Sequence, residues 1–477
     1  MTVLETLPIR KLAAMVRSRK ISAVEVTSYF LNRIMAFDDA ICGFNVPAPE
    51  TAMEAARDLD KQLAAGGEAG ALAGIPLSIK DIADVAGLPS AGASASRAGR
   101  MASTDATVVA RMKIAGGIAL GKANCHELAF GGPSFDLPYP PARNPWNRDR
   151  FPGGSSSGSG VTVAAGLCLG SLATDTAGSI RLPATMCGVF GLKPGRDTLP
   201  LDGIAILAAT MDHVGPVART ADDTRILFDV MAGRSPGPPC SGSLHGLRIG
   251  VPSDDWGVGP LMHPDVQTGL EGAIDVARSE GAEIVPLELP SLDDFHAPAT
   301  ILMMAEIAAE HAASVRAAWD KFGAIFRARA LVGEGITAED YRLAERLRPV
   351  LTRRLFDAIS SVDCLLVAGA LAPPGPLASV DSFYFMKEPM PNIVANYTGF
   401  PALAFPAGVS SEGMPIGVQI MGVPGSEHRL LDIAENYERA DPSRFAAGTP
   451  PDFGNAASLA FPTGSAPMER WNHVKPE

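Results

Sequence analysis

The chain has no CxxC pair; its six cysteines (Cys42, Cys125, Cys168, Cys187, Cys240 and Cys364) stand singly. Such scatter argues against a disulfide framework or a structural zinc site and predicts a reduced, cytoplasmic protein. The eight histidines form no His-x-x-x-His or comparable ligand cluster, so neither a metal nor another cofactor is expected. Charged residues are sparse, 19% against 47% hydrophobic in 477 residues, which excludes wholesale disorder and allows a large core. A basic surplus is also missing, and the net charge of −12 argues against nucleic acid as a partner. No uncharged apolar run reaches the roughly 18 residues of a membrane span. The nearest, residues 161–174, is broken by Gly166, Gly170 and Ser171. The opening MTVLETLPIRKLAAMVRSRK lacks the apolar core and small-residue cleavage site of a signal peptide.

What the chain has in plenty is glycine and serine in one place. Residues 152–194 hold two clusters, Gly153-Gly154-Ser155-Ser156-Ser157-Gly158-Ser159-Gly160 and Thr174-Asp175-Thr176-Ala177-Gly178-Ser179, separated by an apolar segment over 161–172. Small residues at this density expose backbone N–H groups that no side chain shields, which suits a developing anion.

Around this stretch the pattern alternates. Apolar spacing predicts a helix over 22–37 with Ser22 as N-cap, and a second over 51–65 that stops at Gly66-Gly67. Further helices are expected over 104–115, 221–232, 264–280 and 427–439, with a helical region from 300 to 347 that resumes after Pro349 to 360. Strand-like runs lie at 72–81, 118–121, 247–252, 283–287, 364–367, 402–405 and 417–421. Such alternation predicts an α/β fold, one large domain with a mixed, twisted central sheet covered by helices on both faces. The domain is expected to span residues 1–440. The Pro/Gly/Ala-rich residues 441–477 read as an extended tail.

Lys80 ends the run Gly74-Ile-Pro-Leu-Ser-Ile-Lys80-Asp81. Buried, it would lose its proton more easily and serve as a base for a serine, whose hydroxyl is otherwise a poor nucleophile. The plainer alternative has Lys80 capping a strand end and pairing with Asp81 in solvent. Gly154-Ser155-Ser156-Ser157-Gly158 fits a G-x-S-x-G elbow, yet a Pro/Arg/Asn loop precedes it rather than the strand an elbow requires. No Gly-Lys-Ser/Thr closes the cluster, so a phosphate loop fits poorly. Cys187 reads as a small buried hydrophobe, because no histidine stands near it in sequence.

Taken together, Gly74–Asp81, Pro152-Gly-Gly-Ser-Ser, Asp175-Thr-Ala-Gly-Ser-Ile-Arg-Leu-Pro183 and Cys187-Gly-Val-Phe-Gly-Leu-Lys-Pro194 strongly resemble the amidase signature family. The resemblance extends to about Arg439 and implies that family's fold, with a Ser–Ser–Lys triad. Ser179 would be the acylated nucleophile, Ser155 the bridging serine after a cis Gly154–Ser155 bond, and Lys80 the base. Backbone N–H groups of Thr176, Ala177, Gly178 and Ser179 would hold the oxyanion, and Phe130, Gly131 and Gly132 would line the acyl pocket. Ala177, Ser157 and Gly195 depart from the usual pattern without touching the triad.

The implied activity is hydrolysis of a small amide, with a lean towards apolar or aryl acyl groups. Esters, carbamates and hydrazides use the same acyl transfer. The alternative is the amidase subunit of a glutamine-dependent tRNA amidotransferase. Expected partners are a small-molecule amide and water, with no nucleic acid and no membrane; a homodimer is one open assembly. Asp175 and Arg181 are expected to form an ion pair that stiffens the loop. His126 and His213 read as ordinary polar or core residues, and residues 382–386, SFYFM, as core packing or a far pocket wall.

Overall fold

The computed structural model describes residues 3–387 and 389–453. Its strands are β1 (Phe44–Pro47), β2 (Pro76–Lys80), β3 (Ile118–Ala123), β4 (Gly170–Asp175), β5 (Phe190–Lys193) and β6 (His213–Ala218). They continue with β7 (Arg248–Pro252), β8 (Glu283–Leu287), β9 (Cys364–Ala368), β10 (Ala402–Val409) and β11 (Pro415–Met421). All eleven form one sheet in the order β1-β3-β2-β4-β6-β5-β10-β11-β9-β7-β8. Pairing is mixed: β2 runs parallel to β3 and β4, whereas β4–β6, β5–β10 and β10–β11 are antiparallel. Every residue of β2, β4, β6 and β11 is buried, so both faces of the sheet centre are covered. That is the α/β architecture expected from the sequence.

Local chemistry explains the element ends. Ser22 Oγ accepts the Glu25 N–H at 3.0 Å, and the Glu25 carboxylate accepts the Ser22 N–H at 2.8 Å. Such a capping box is worth about 1 kcal/mol to the helix it starts, here Ala23–Ile41.

The apolar segment between the Gly/Ser clusters splits into the helix Ser157–Ala164 and strand β4, which begins at Gly170. Two expectations need correction. The helix Ala338–Ile359 runs through Pro349 without a break, and a preceding helix starts at Leu292, earlier than expected. Tyr397 Oη donates to the Ala344 carbonyl at 3.0 Å, beside the carbonyl that the missing proline N–H leaves unpaired. Finally, residues 441–453 are not an arm. Phe445 and Phe453 are buried in the main core, and Arg33 donates to the Phe453 carbonyl at 3.0 Å. Residues 454–477 of the expected tail lie outside the described residues. Among the described residues no helix is long and apolar enough to cross a membrane.

Candidate active site

Strand β2 delivers Lys80 to the sheet centre, where its side chain is fully buried. Lys80 Nζ donates to Ser155 Oγ at 2.9 Å and to Thr174 Oγ1 at 2.7 Å. Burial pushes the Lys80 ammonium down to about 8, against the weaker opposing fields of Cys125, Asp175 and Asp212. Asp81 does not pair with Lys80. Its carboxylate lies 3.3 Å from Lys122 Nζ and accepts from Asn45 Nδ2 and the Ala93 N–H, both at 3.0 Å. The solvent-exposed Lys80–Asp81 pair is thereby excluded.

Ser155 follows a cis Gly154–Ser155 bond. A side chain at Gly154 would collide with the His126 ring, so glycine is required there by close approach. The Ser155 carbonyl accepts the His126 N–H at 3.0 Å, and the Ser156 N–H donates to the Ser179 carbonyl at 3.2 Å. Those bonds tie the first Gly/Ser cluster to the second.

The loop after β4 is shaped by Asp175. Its carboxylate accepts the Gly178 N–H at 2.6 Å, the Ile180 N–H at 3.1 Å and Arg181 Nε at 3.0 Å. Arg181 also donates to Gln419 Oε1, the Asn392 carbonyl and Asn396 Oδ1, so the expected ion pair is present and fully buried. Burial alone would raise the Asp175 carboxyl, but Arg181 outweighs it and holds the group well below the usual carboxylate range. Gly178 adopts φ +117°, and a Cβ there would press on Asn392. With the Gly178 N–H turned to Asp175, Gly178 drops out of the four expected anion-binding amides. Those of Thr176, Ala177 and Ser179 have no intramolecular acceptor among the described residues. Thr176 is held by its hydroxyl, which donates to Asp212 Oδ1 at 2.7 Å. Burial pushes the Asp212 carboxyl up to about 6.

Ser155 and Ser179 share the wall of one cavity, into which the Thr176 to Ser179 turn also opens. Phe130 lines it as expected, but Gly131 and Gly132 do not. Gly131 packs on Glu127, and the chain turns at Gly132 (φ +64°) into a neighbouring cavity beside Cys125 and Tyr139. Tyr384 and Phe385 form the far wall; both are half-buried and also pack against core clusters, so the two readings of this segment hold together. His126, read from the sequence as an ordinary polar or core residue, is buried and also faces the cavity, and burial pushes its imidazole down to about 3. His213 is a buried strand residue whose Nδ1 lies 2.7 Å from the Met211 carbonyl. Cys187 is buried, and desolvation raises its thiol, as suits a packed hydrophobe. Among the described residues no group of three or more His, Cys, Asp or Glu side chains is placed to hold a metal.

Arg329 and Asn392 stand on the same walls, although the sequence points to no basic residue in the pocket. The signal for Arg329 is its spacing. Within the helix Ala324–Val332, Phe326, Arg329 and Ala330 are the buried positions, so a cation interrupts an apolar stripe.

Residues 25–431 match the Amidase family. The chain belongs to the amidase family. It is 34% identical over 487 residues to the A-type chain of a glutamyl-tRNA(Gln) amidotransferase from Roseiflexus castenholzii, covering 92% of this chain and 96% of the relative. A putative amidase of Mycobacterium bovis is 33% identical over 447 residues, with 91% and 94% covered. Among solved structures, native peptide amidase from Stenotrophomonas maltophilia superposes with a TM-score of 0.80 at 26% identity, covering 94% of this chain and 99% of that one. This amidase is accordingly an enzyme of amide C–N bonds.

Proposed function

We propose that this amidase hydrolyses a small amide through Lys80, Ser155 and Ser179, by way of an acyl-enzyme on Ser179. The observation that carries the reading is the 2.9 Å contact between Lys80 Nζ and Ser155 Oγ, made by a lysine that is fully buried and has hydroxyls rather than a carboxylate as partners. Neutral Lys80 accepts the Ser155 proton as Ser155 accepts that of Ser179, and Ser179 Oγ attacks the acyl carbon. The tetrahedral oxyanion forms beside the free amides of Thr176, Ala177 and Ser179, each such donor being worth about 3–4 kcal/mol. Ser155 then passes a proton to the leaving nitrogen, and water releases the acid.

The apolar and aromatic walls favour an apolar or aryl acyl group, and an ester, carbamate or hydrazide could follow the same steps. A fluorophosphonate probe tests the assignment: labelling mapped to Ser179 is expected, and labelling elsewhere or nowhere overturns it. A second reading rests on the 34% identity to one chain of an amidotransferase, whose name points to transfer within a complex. Purification from the native host separates the two. A stoichiometric companion subunit supports the transferase; a lone chain or a homomer supports the hydrolase.

A further inference from the structure

The helix Ala338–Ile359 turns Ala344, Leu351, Leu355 and Ile359 into the core. At the helical period its opposite face carries Glu339, Leu343, Arg346, Leu347, Val350 and Arg354. A surface helix ordinarily shows water a polar face. Here Leu343 is 56% exposed, Leu347 37% and Val350 48%, so three large apolar side chains form a bare stripe along the outside of the helix. The other large apolar side chains left exposed, from Met35 to Val409, stand singly on separate elements or loops and need no explanation.

The charges around the stripe are divided by sign along the helix. Glu339 and Asp340 stand at its N-terminal end, Arg353 and Arg354 towards its C-terminal end. Arg353 pairs with Asp357 at 2.9 Å and Asp340 caps its own helix through Thr337, whereas Glu339 and Arg354 have no such partner among the described residues. Asp340 and Arg354 stand equally far from Leu347 along the chain, and Leu343 and Val350 nearly so. A patch ringed by one sign of charge would call for a foreign partner of the other sign. A patch whose charges change sign about one central residue is complementary to itself, as an isologous two-fold contact requires.

We propose that this face joins two copies of the chain into a two-fold dimer, the helix Ala338–Ile359 packing antiparallel on its copy. With the axis at Leu347, that side chain meets its own copy, Leu343 meets Val350, and the acidic end of each helix meets the basic end of the other. Arg346 lies beside the axis on both copies and opposes the contact, and one helix pair makes a small interface, so the dissociation constant falls at about 1 to 100 µM. None of these side chains lines the cavity of Ser155 and Ser179, so the dimer stands or falls apart from the hydrolase reading.

Sedimentation velocity of the purified full chain, read from about 1 to 200 µM, tests the surface. The wild type is expected to pass from the mass of one 49.6 kDa chain to twice that mass as concentration rises. Leu347→Glu sets two like charges at the axis and should weaken association by about 100-fold or more, while the chain stays folded by circular dichroism. Arg354→Glu should weaken it by about tenfold, and adding Glu339→Arg should recover most of that loss. The two positions lie about 22 Å apart on one helix, so such a rescue passes only between copies. A wild type that stays a single chain over the whole range overturns the proposal. So does a dimer that survives Leu347→Glu, or a charge exchange that brings no rescue. Should Leu347→Glu not fold, Leu347→Cys decides: oxidation should link two copies through residue 347, and a chain left unlinked there counts against the dimer.

Discussion

Two lysines on neighbouring strands are equally buried and differently used. In the β2–β3 register Lys80 pairs with Ala123 and Lys122 with Ile79, so the two side chains leave opposite faces of the sheet. Lys122 sits 3.3 Å from the Asp81 carboxylate and donates to the Pro89 carbonyl at 3.1 Å. Among the described residues Lys80 meets only the hydroxyls of Ser155 and Thr174. Burial lowers the proton affinity of both, and for Lys122 the adjacent Asp81 charge pulls it back up. Burial alone therefore does not make a base. The partner decides: a carboxylate locks a structural ion pair, while hydroxyls leave an amine able to release and take back a proton.

Deleting the Lys80 amine has the largest expected effect. Lys80→Met is expected to cut kcat by about 10³-fold or more, with the melting temperature unchanged or higher, because an amine without a counter-charge leaves the core. Lys122→Met should do the reverse. It strands the Asp81 carboxylate and costs about 3–5 kcal/mol of stability in chemical denaturation, and adding Asp81→Asn should recover much of that loss. A Lys122→Met variant as stable as the wild type would remove the distinction.

Thr174→Asp gives Lys80 the kind of partner Lys122 has. Its kcat/KM–pH midpoint should move up by about 1–3 units, read from initial rates across the pH range. Thr174→Val should have the smallest effect. It removes one hydroxyl that favours the charged amine and should lower the midpoint by about half a unit.

How far the sequence foretells this site follows from where its residues lie. The strand ending at Lys80 and the two Gly/Ser clusters are legible because small residues and an apolar run mark them locally. The Ser22 cap and the Gly66 stop are legible for the same reason. Strand β4 is hidden because Gly-Ser-Leu-Ala-Thr-Asp carries almost no β-branched residues; burial on both faces, not propensity, holds it extended. The helix through Pro349 survives on tertiary packing that no local rule encodes. Gly178 leaves the expected set of anion donors because its N–H is captured by a carboxylate three residues earlier, a detail of turn geometry. Arg329 and Asn392 reach the cavity from helices more than 140 residues beyond Ser179, so only the fold brings them there. Phe453 resembles tail in sequence because proline and glycine surround it, yet it closes a core at Arg33.

The most direct test is the dependence of wild-type kcat/KM on pH for a substrate with no ionising group of its own, such as benzamide. The base must be neutral to act, and burial lowers the Lys80 ammonium to about 8. The rate should therefore be low while Lys80 is protonated, rise tenfold per pH unit, bend near 8 and level off above it. A profile that stays flat from about pH 6 to 10, or falls as pH rises through 8, contradicts neutral Lys80 as the base.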